Sequence, residues 1–167
     1  MSVTEELFRL GQAARRLNDG SDRLDRTLAD IDRALGRLML GFEYQLPRPI
    51  DEREHSDNKG KRVIEVSYLG YLRIPGIDPP PDQARFHLAI RQLKVFETRR
   101  PDEAPGKVMP LLEAPRALRH AAVDHLALLV AGLAEQVDEM VANIERRNDV
   151  ASSLLSTLEA PEAGEGD

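Results

Sequence analysis

The chain has no cysteine and no tryptophan. Without cysteine, disulfides, thiol catalysis and thiolate metal ligation are all excluded. Aromatic residues make up 4% of the chain, a share that suits a Leu/Ala helical core better than an aromatic-lined ligand pocket. No segment approaches the roughly 18 to 20 consecutive apolar residues of a membrane span. The N-terminus has no basic segment followed by an apolar one, as a secretory signal would require, so a cytoplasmic location is expected. No repeat marks a solenoid. Gly70, Gly76 and Gly106 stand singly, which leaves no phosphate loop or dinucleotide fingerprint. Ser67, Ser152 and Ser153 lack the context of a nucleophile elbow.

What remains is a chain of 167 residues, 41% apolar and 31% charged, with a formal charge of −6. That length fits a single domain, expected over residues 1–160, and can bury a real core. The acidic balance favours solubility and gives no reason to expect indiscriminate affinity for nucleic acid.

Two helix-coded runs dominate. In the first, Leu7, Leu10, Ala14, Leu17, Leu24, Leu28, Ile31, Leu35, Leu38 and Phe42 step by three and four once Ser21 is admitted as the polar member. This is the heptad seam of a helix that wants a helical partner, rather than the wider stripe of a helix on a sheet. Ser2 and Glu5 fit a capping box at its start. Asn18-Asp19-Gly20-Ser21-Asp22 resembles a helix end followed by a new cap. The seam nevertheless keeps its phase across it, and Gly costs only about 1 kcal/mol inside a helix. A continuous helix over 3–40 is therefore expected, about 57 Å long. Its charged residues, Asp25, Asp30 and Asp32 among them, are assigned to exposed faces. The second run, 115–158, begins at Pro115 in a first-turn position. It repeats the alternation through Val123, Leu126, Val130, Leu133, Val137, Met140, Ile144, Ala151, Leu154 and Leu158, with Arg147 as its one interruption.

Between the helices, residues 42–97 hold the strand signals. Phe42–Leu46 reads as a short strand, Val63–Leu69 as the clearest one with an extension to Ile74 past a bulge or bend, and Arg85–Phe96 as the third, whose change of phase marks a bulge near Gln92 or an end to strict one-sided burial. Residues 48–61 and 75–82 read as loops, and the acidic tail 161–167 as disordered. The strands from Val63 and Arg85 must pair antiparallel, because no crossover helix separates them. The expected fold is α+β in the order α-β-β-β-α: two long antiparallel helices, forming a coiled-coil-like hairpin, bracket a small sheet of two to three antiparallel strands.

The chemistry is sparse. His120 and His125 lie five apart, roughly 140° around a helix, which misses the spacing of a helical metal site. His55 lies in a charged loop. His87 is the histidine worth following, on a strand face beside Arg85 and Arg91, where the group could contact an anion. No catalytic set, no metal site and no cofactor is assigned. The leading expectation is a non-enzymatic interaction or assembly protein, with a homodimer or another protein as partner and with Ser21 and Arg147 as polar seam residues that set register. An alternative rests on Lys59, Lys61, Arg62, Arg73, Arg85, Arg91 and Lys94, which make the central segment locally basic and suit a nucleic-acid partner. A small enzyme centred on His87 comes third. No membrane partner is expected.

Overall fold

The computed structural model describes residues 2–76, 85–96 and 106–160. The tail 161–167, most of the 75–82 loop and the polar segment after residue 97 lie outside the described residues. The fold is α+β, with a long helix, an antiparallel sheet and a second long helix in that order. The chain divides into two compact units, Met1–Leu129 and Val130–Asp167.

Helix α1 spans Val3–Arg37 without a break at Gly20. Its start is the anticipated capping box: Ser2 Oγ accepts the Glu5 N–H at 3.3 Å, and Glu5 Oε2 accepts the Ser2 N–H at 2.8 Å. It ends where Met39 and then Gly41 adopt positive φ, turning the chain toward the sheet. From Ser21 on, the buried positions are Ser21, Leu28, Leu35 and Gly36, and Leu24, Asp25, Ile31 and Asp32 are half-buried between them. This is the wide stripe of a helix lying on a sheet, which corrects the reading of a narrow seam along the whole helix. Before Ser21 the helix is exposed throughout, with Leu7, Leu10 and Leu17 each more than half exposed.

The sheet has five strands: β1 (Tyr44–Gln45), β2 (Asp51–Ser56), β3 (Arg62–Arg73), β4 (Phe86–Phe96) and β5 (Lys107–Pro110). β3 and β4 form its centre and β5 flanks β4, while β1 and β2 share the outer edge of β3. Two strands exceed the expected count. β2 falls inside the segment read as a loop. Its residues, Asp-Glu-Arg-Glu-His-Ser, are almost all exposed, so it is held mainly by backbone pairing with β3 and carries no hydrophobic alternation to betray it. The turn between them is closed by Asp57, whose Oδ1 accepts the N–H groups of Lys59 and Lys61, with Gly60 at φ 75°. The β3–β4 register runs unbroken from Val63↔Phe96 to Arg73↔Phe86. The ladder therefore passes both Gly70 and Gln92 without a bulge, and at β4 the other alternative, an end to one-sided burial, holds. The apparent change of phase arises because Leu88, Ala89 and Ile90 are buried in succession, on both faces of a central strand. One face holds Leu72, Ile74 and Ala89, with Val108 packed against them. The other carries Leu69, Tyr71, Leu88 and Ile90, all nearly inaccessible.

After β5 a 3-10 turn (Leu111–Glu113) leads into α2 (Arg116–Val123) and α3 (Leu126–Glu159). The single helix expected over 115–158 is thus two, bent by 60°. Asp124 caps the end of α2, its N–H bonded to the Ala122 carbonyl. Leu118, Ala122 and Leu129 are buried on either side of the bend, so burial favours turning the chain even without glycine or proline there. No single helix among the described residues is long and apolar enough to cross a membrane. The second unit contains, among the described residues, only the length of α3 from Val130 onward.

Two glycines test these packing statements. A Cβ at Gly70 would stand 2.8 Å from Leu72 Cγ and 2.9 Å from the Tyr44 carbonyl oxygen, whereas a Cβ at Gly20 meets nothing within 4 Å. Gly70→Ala should destabilise the protein by about 1–3 kcal/mol, and Gly20→Ala should stabilise it by up to about 1 kcal/mol, both measured by urea denaturation. A destabilising Gly20→Ala would contradict the unbroken helix.

Candidate functional site

Position 32 of α1 lies one helical step beyond Leu28 on the inner face and carries a carboxylate there. Asp32 Oδ1 accepts the backbone N–H of Leu88 at 2.7 Å, and Oδ2 lies 2.9 Å from His87 Nδ1. The first bond follows from the sheet. β4–β5 pairing ends at Ala89↔Pro110, and the chain beyond Pro110 turns into the 3-10 helix, so the Leu88 N–H needs an acceptor from elsewhere. The second bond defines the imidazole. A carboxylate at Nδ1 requires the proton there, which leaves Nε2 of the neutral ring as an acceptor. Both side chains are largely covered, at 20% exposed for Asp32 and 35% for His87.

Asp32, His87 and Glu113 border a pocket of about 280 Å³ whose remaining walls are aliphatic, among them Leu28, Ile74, Leu88 and Leu111. Among the described residues its lining contains no hydroxyl, thiol or amine side chain. Tyr71, opposite Leu88 in register, is buried and stacks at a tilt on Phe86 with ring centroids 6.0 Å apart. Burial, and then the negative charge of Asp32, push its phenol up to about 12.

A second set of polar contacts joins α1 to α2. Arg116 Nη2 donates to Asn18 Oδ1 at 3.1 Å, and Arg119 Nε to Asp25 Oδ1 at 2.8 Å. Arg119 also donates to the Ala114 carbonyl. Ser21, buried at 4% exposure, has its hydroxyl 3.5 Å from His120 Nε2. Asp25 and Asp32 thus belong to the inner face of α1, not to the exposed faces assigned from sequence. The only sequence signal for them is their spacing, since 18, 21, 25, 28, 32 and 35 also step by three and four.

The residues singled out from sequence are dispersed. Ser21 lies in this polar row, and Arg147 is exposed on α3. Lys59 and Lys61 lie in the exposed β2–β3 turn, and Arg85 and Lys94 are exposed at the start and in the outer half of β4. Arg62 donates to Glu54 of β2 at 3.0 Å. Arg91 donates to Gln45 at 2.7 Å and lies 3.9 Å from Glu43, while Glu43 also accepts the Arg73 backbone N–H. Lys94 stands across from Glu65. The carboxylates of β2 and of the β1 approach therefore stand among these cations, so the basic segment is not a continuous positive face. The anion that His87 meets is a carboxylate of the same chain, Asp32. Among the described residues no group of three or more His, Asp and Glu side chains could hold a metal ion. Comparison with protein-family models, with curated proteins and with solved structures finds no match.

Asp32→Ala should cost about 2 kcal/mol in denaturant unfolding, because it strands the Leu88 N–H. Asp32→Asn should cost less, since its amide oxygen still accepts that bond. For Tyr71, a phenol whose folded pKa is raised favours the neutral form in the fold. Its contribution is complete below pH 10 and is lost as pH rises toward about 12. The urea midpoint should fall across that window, and the part of the slope due to Tyr71 should vanish in Tyr71→Phe.

Proposed function

We propose that this chain is an assembly protein whose long helices carry the contact surface and whose partner is a second copy of itself. The observation that supports this is the exposed apolar seam of α3. Met140, Ile144, Leu154 and Leu158 are 43%, 50%, 60% and 83% exposed, at the three-four spacing of a heptad broken once, at Arg147. Soluble monomers rarely leave contiguous apolar surface of this kind uncovered. Most of a protein helix's stability also comes from packing its apolar face rather than from propensity. The seam is flanked by Glu135, Asp138, Glu139 and Glu145 in its first half and followed by Arg146 and Arg147. Two copies crossing antiparallel between Ala142 and Asn143 would set Arg146 opposite Glu139 and Arg147 opposite Asp138 while burying apolar residues of the seam. The exposed start of α1, with Leu7, Leu10 and Leu17, offers a second stripe of the same spacing to a helical assembly.

Light scattering on size-exclusion chromatography should report a dimer or a higher, defined oligomer. Ile144→Glu combined with Leu154→Glu should convert it to monomer while the amide spectrum of residues in the sheet stays unchanged. A wild-type chain that remains monomeric at its highest soluble concentration sinks the proposal, and the seam would then be left to the α1 stripe of the same chain or to a different protein.

A further inference from the structure

The pocket beneath Asp32 carries an inference independent of self-association. Its side chains divide into aliphatic walls and three polar groups, Asp32, His87 and Glu113. Each of the three is an acceptor toward the cavity. Ionised carboxylates only accept, and the neutral form of His87 with its Nδ1 proton on Asp32 presents the Nε2 lone pair. The Leu88 N–H, a donor that an anion would seek, is already taken by Asp32. An acceptor-only rim of two carboxylates repels carboxylates and phosphates and offers nothing to a bare carbonyl. It suits a ligand that brings its own donors and a positive charge. The aliphatic walls, in a space of about 280 Å³, ask for an apolar body of modest size behind that charged head.

We infer that this pocket binds a small primary ammonium ion with an alkyl or arylalkyl tail, its nitrogen donating to His87 Nε2 and to the Asp32 and Glu113 carboxylates. The ligand stands end-on, head at the His87–Asp32 pair and tail against Leu28, Ile74 and Leu111. Leu112, 43% exposed beside Glu113, flanks the opening.

The test is an NMR titration of the full chain, following the His87 ring and the methyl groups of Ile74 and Leu111. The probes are n-butylammonium, n-hexylammonium and 2-phenylethylammonium, each against the carboxylate of the same length. The ammonium ions should saturate these signals, and affinity should rise about three- to fourfold per added methylene while the tail remains within the walls. The carboxylates should leave the signals in place. Glu113→Gln, at an exposed position that should not disturb folding, should weaken ammonium binding about threefold. Binding of the carboxylates as tightly as the ammonium ions would overturn the inference. So would ammonium binding that ignores tail length, or an absence of saturable shifts at His87 with every probe.

Discussion

One carboxylate connects the first helix to the sheet. Asp32 takes the Leu88 N–H at the point where β5 stops pairing, and with its other oxygen holds the His87 ring. Placing a charge in a largely covered position is costly unless its lone pairs are used, and here both oxygens are. The strand needs the helix as much as the helix needs the strand. The residue after Pro110, which stands opposite Ala89, leaves the ladder and takes its carbonyl with it, so Leu88 would otherwise present an unpaired donor beneath α1. The orientation of the His87 ring follows from where this carboxylate sits, and its charge adds to the burial that chiefly raises the Tyr71 phenol.

The same logic extends along α1. Asn18, Ser21 and Asp25 meet Arg116, His120 and Arg119 in turn, and Asp32 completes the row. A helix packed only through leucines can shift by a turn, about 5.4 Å, and still bury apolar surface. A shift of that size here would separate all four contacts and strand the covered carboxylates, which costs more than the leucine contacts could recover. Leu28 and Leu35 supply the burial, and the polar row fixes the register. The surface pair Arg33–Asp30, exposed on both sides, has no such role.

This division also explains how much of the architecture the residues disclosed in advance. The two long helical runs, the unbroken passage through Gly20, the capping box and the antiparallel pairing of the two main strands follow from periodicity, caps and the absence of a crossover. What stayed hidden obeys other rules. β2 is an edge strand of charged residues, stabilised by backbone hydrogen bonds that leave no mark on side-chain pattern. The bend at Asp124–His125 lies in an apolar stretch without Gly or Pro, and is set by what α2 and the first turn of α3 bury. The site was hidden most completely, because Asp25 and Asp32 look like ordinary solvent-facing residues until Arg119 and His87 arrive from positions far along the chain. His87 stood out as the histidine to follow, but the source of its anionic partner was hidden, since Asp32 is 55 residues away in sequence and near only in space.

The exposed halves of the long helices differ in kind from this pinned interior. From Leu7 to Leu17, and from Met140 to Leu158, the three-four positions are apolar apart from Arg147, with no row of specific polar partners along them. A leucine seam of that sort supplies burial in several registers with similar energy. Selection among them then falls to the few charged groups at its margin and to any polar residue inside it. Arg147 is the residue of α3 that occupies such a position. In an assembly its guanidinium must reach a carboxylate or water while its stem stays in the seam, a condition that few registers satisfy. On this reading the chain uses one device twice: apolar residues provide adhesion, and a small number of polar residues decide the alignment. In the interior that decision belongs to Asp32, and in the proposed assembly it would belong to Arg147.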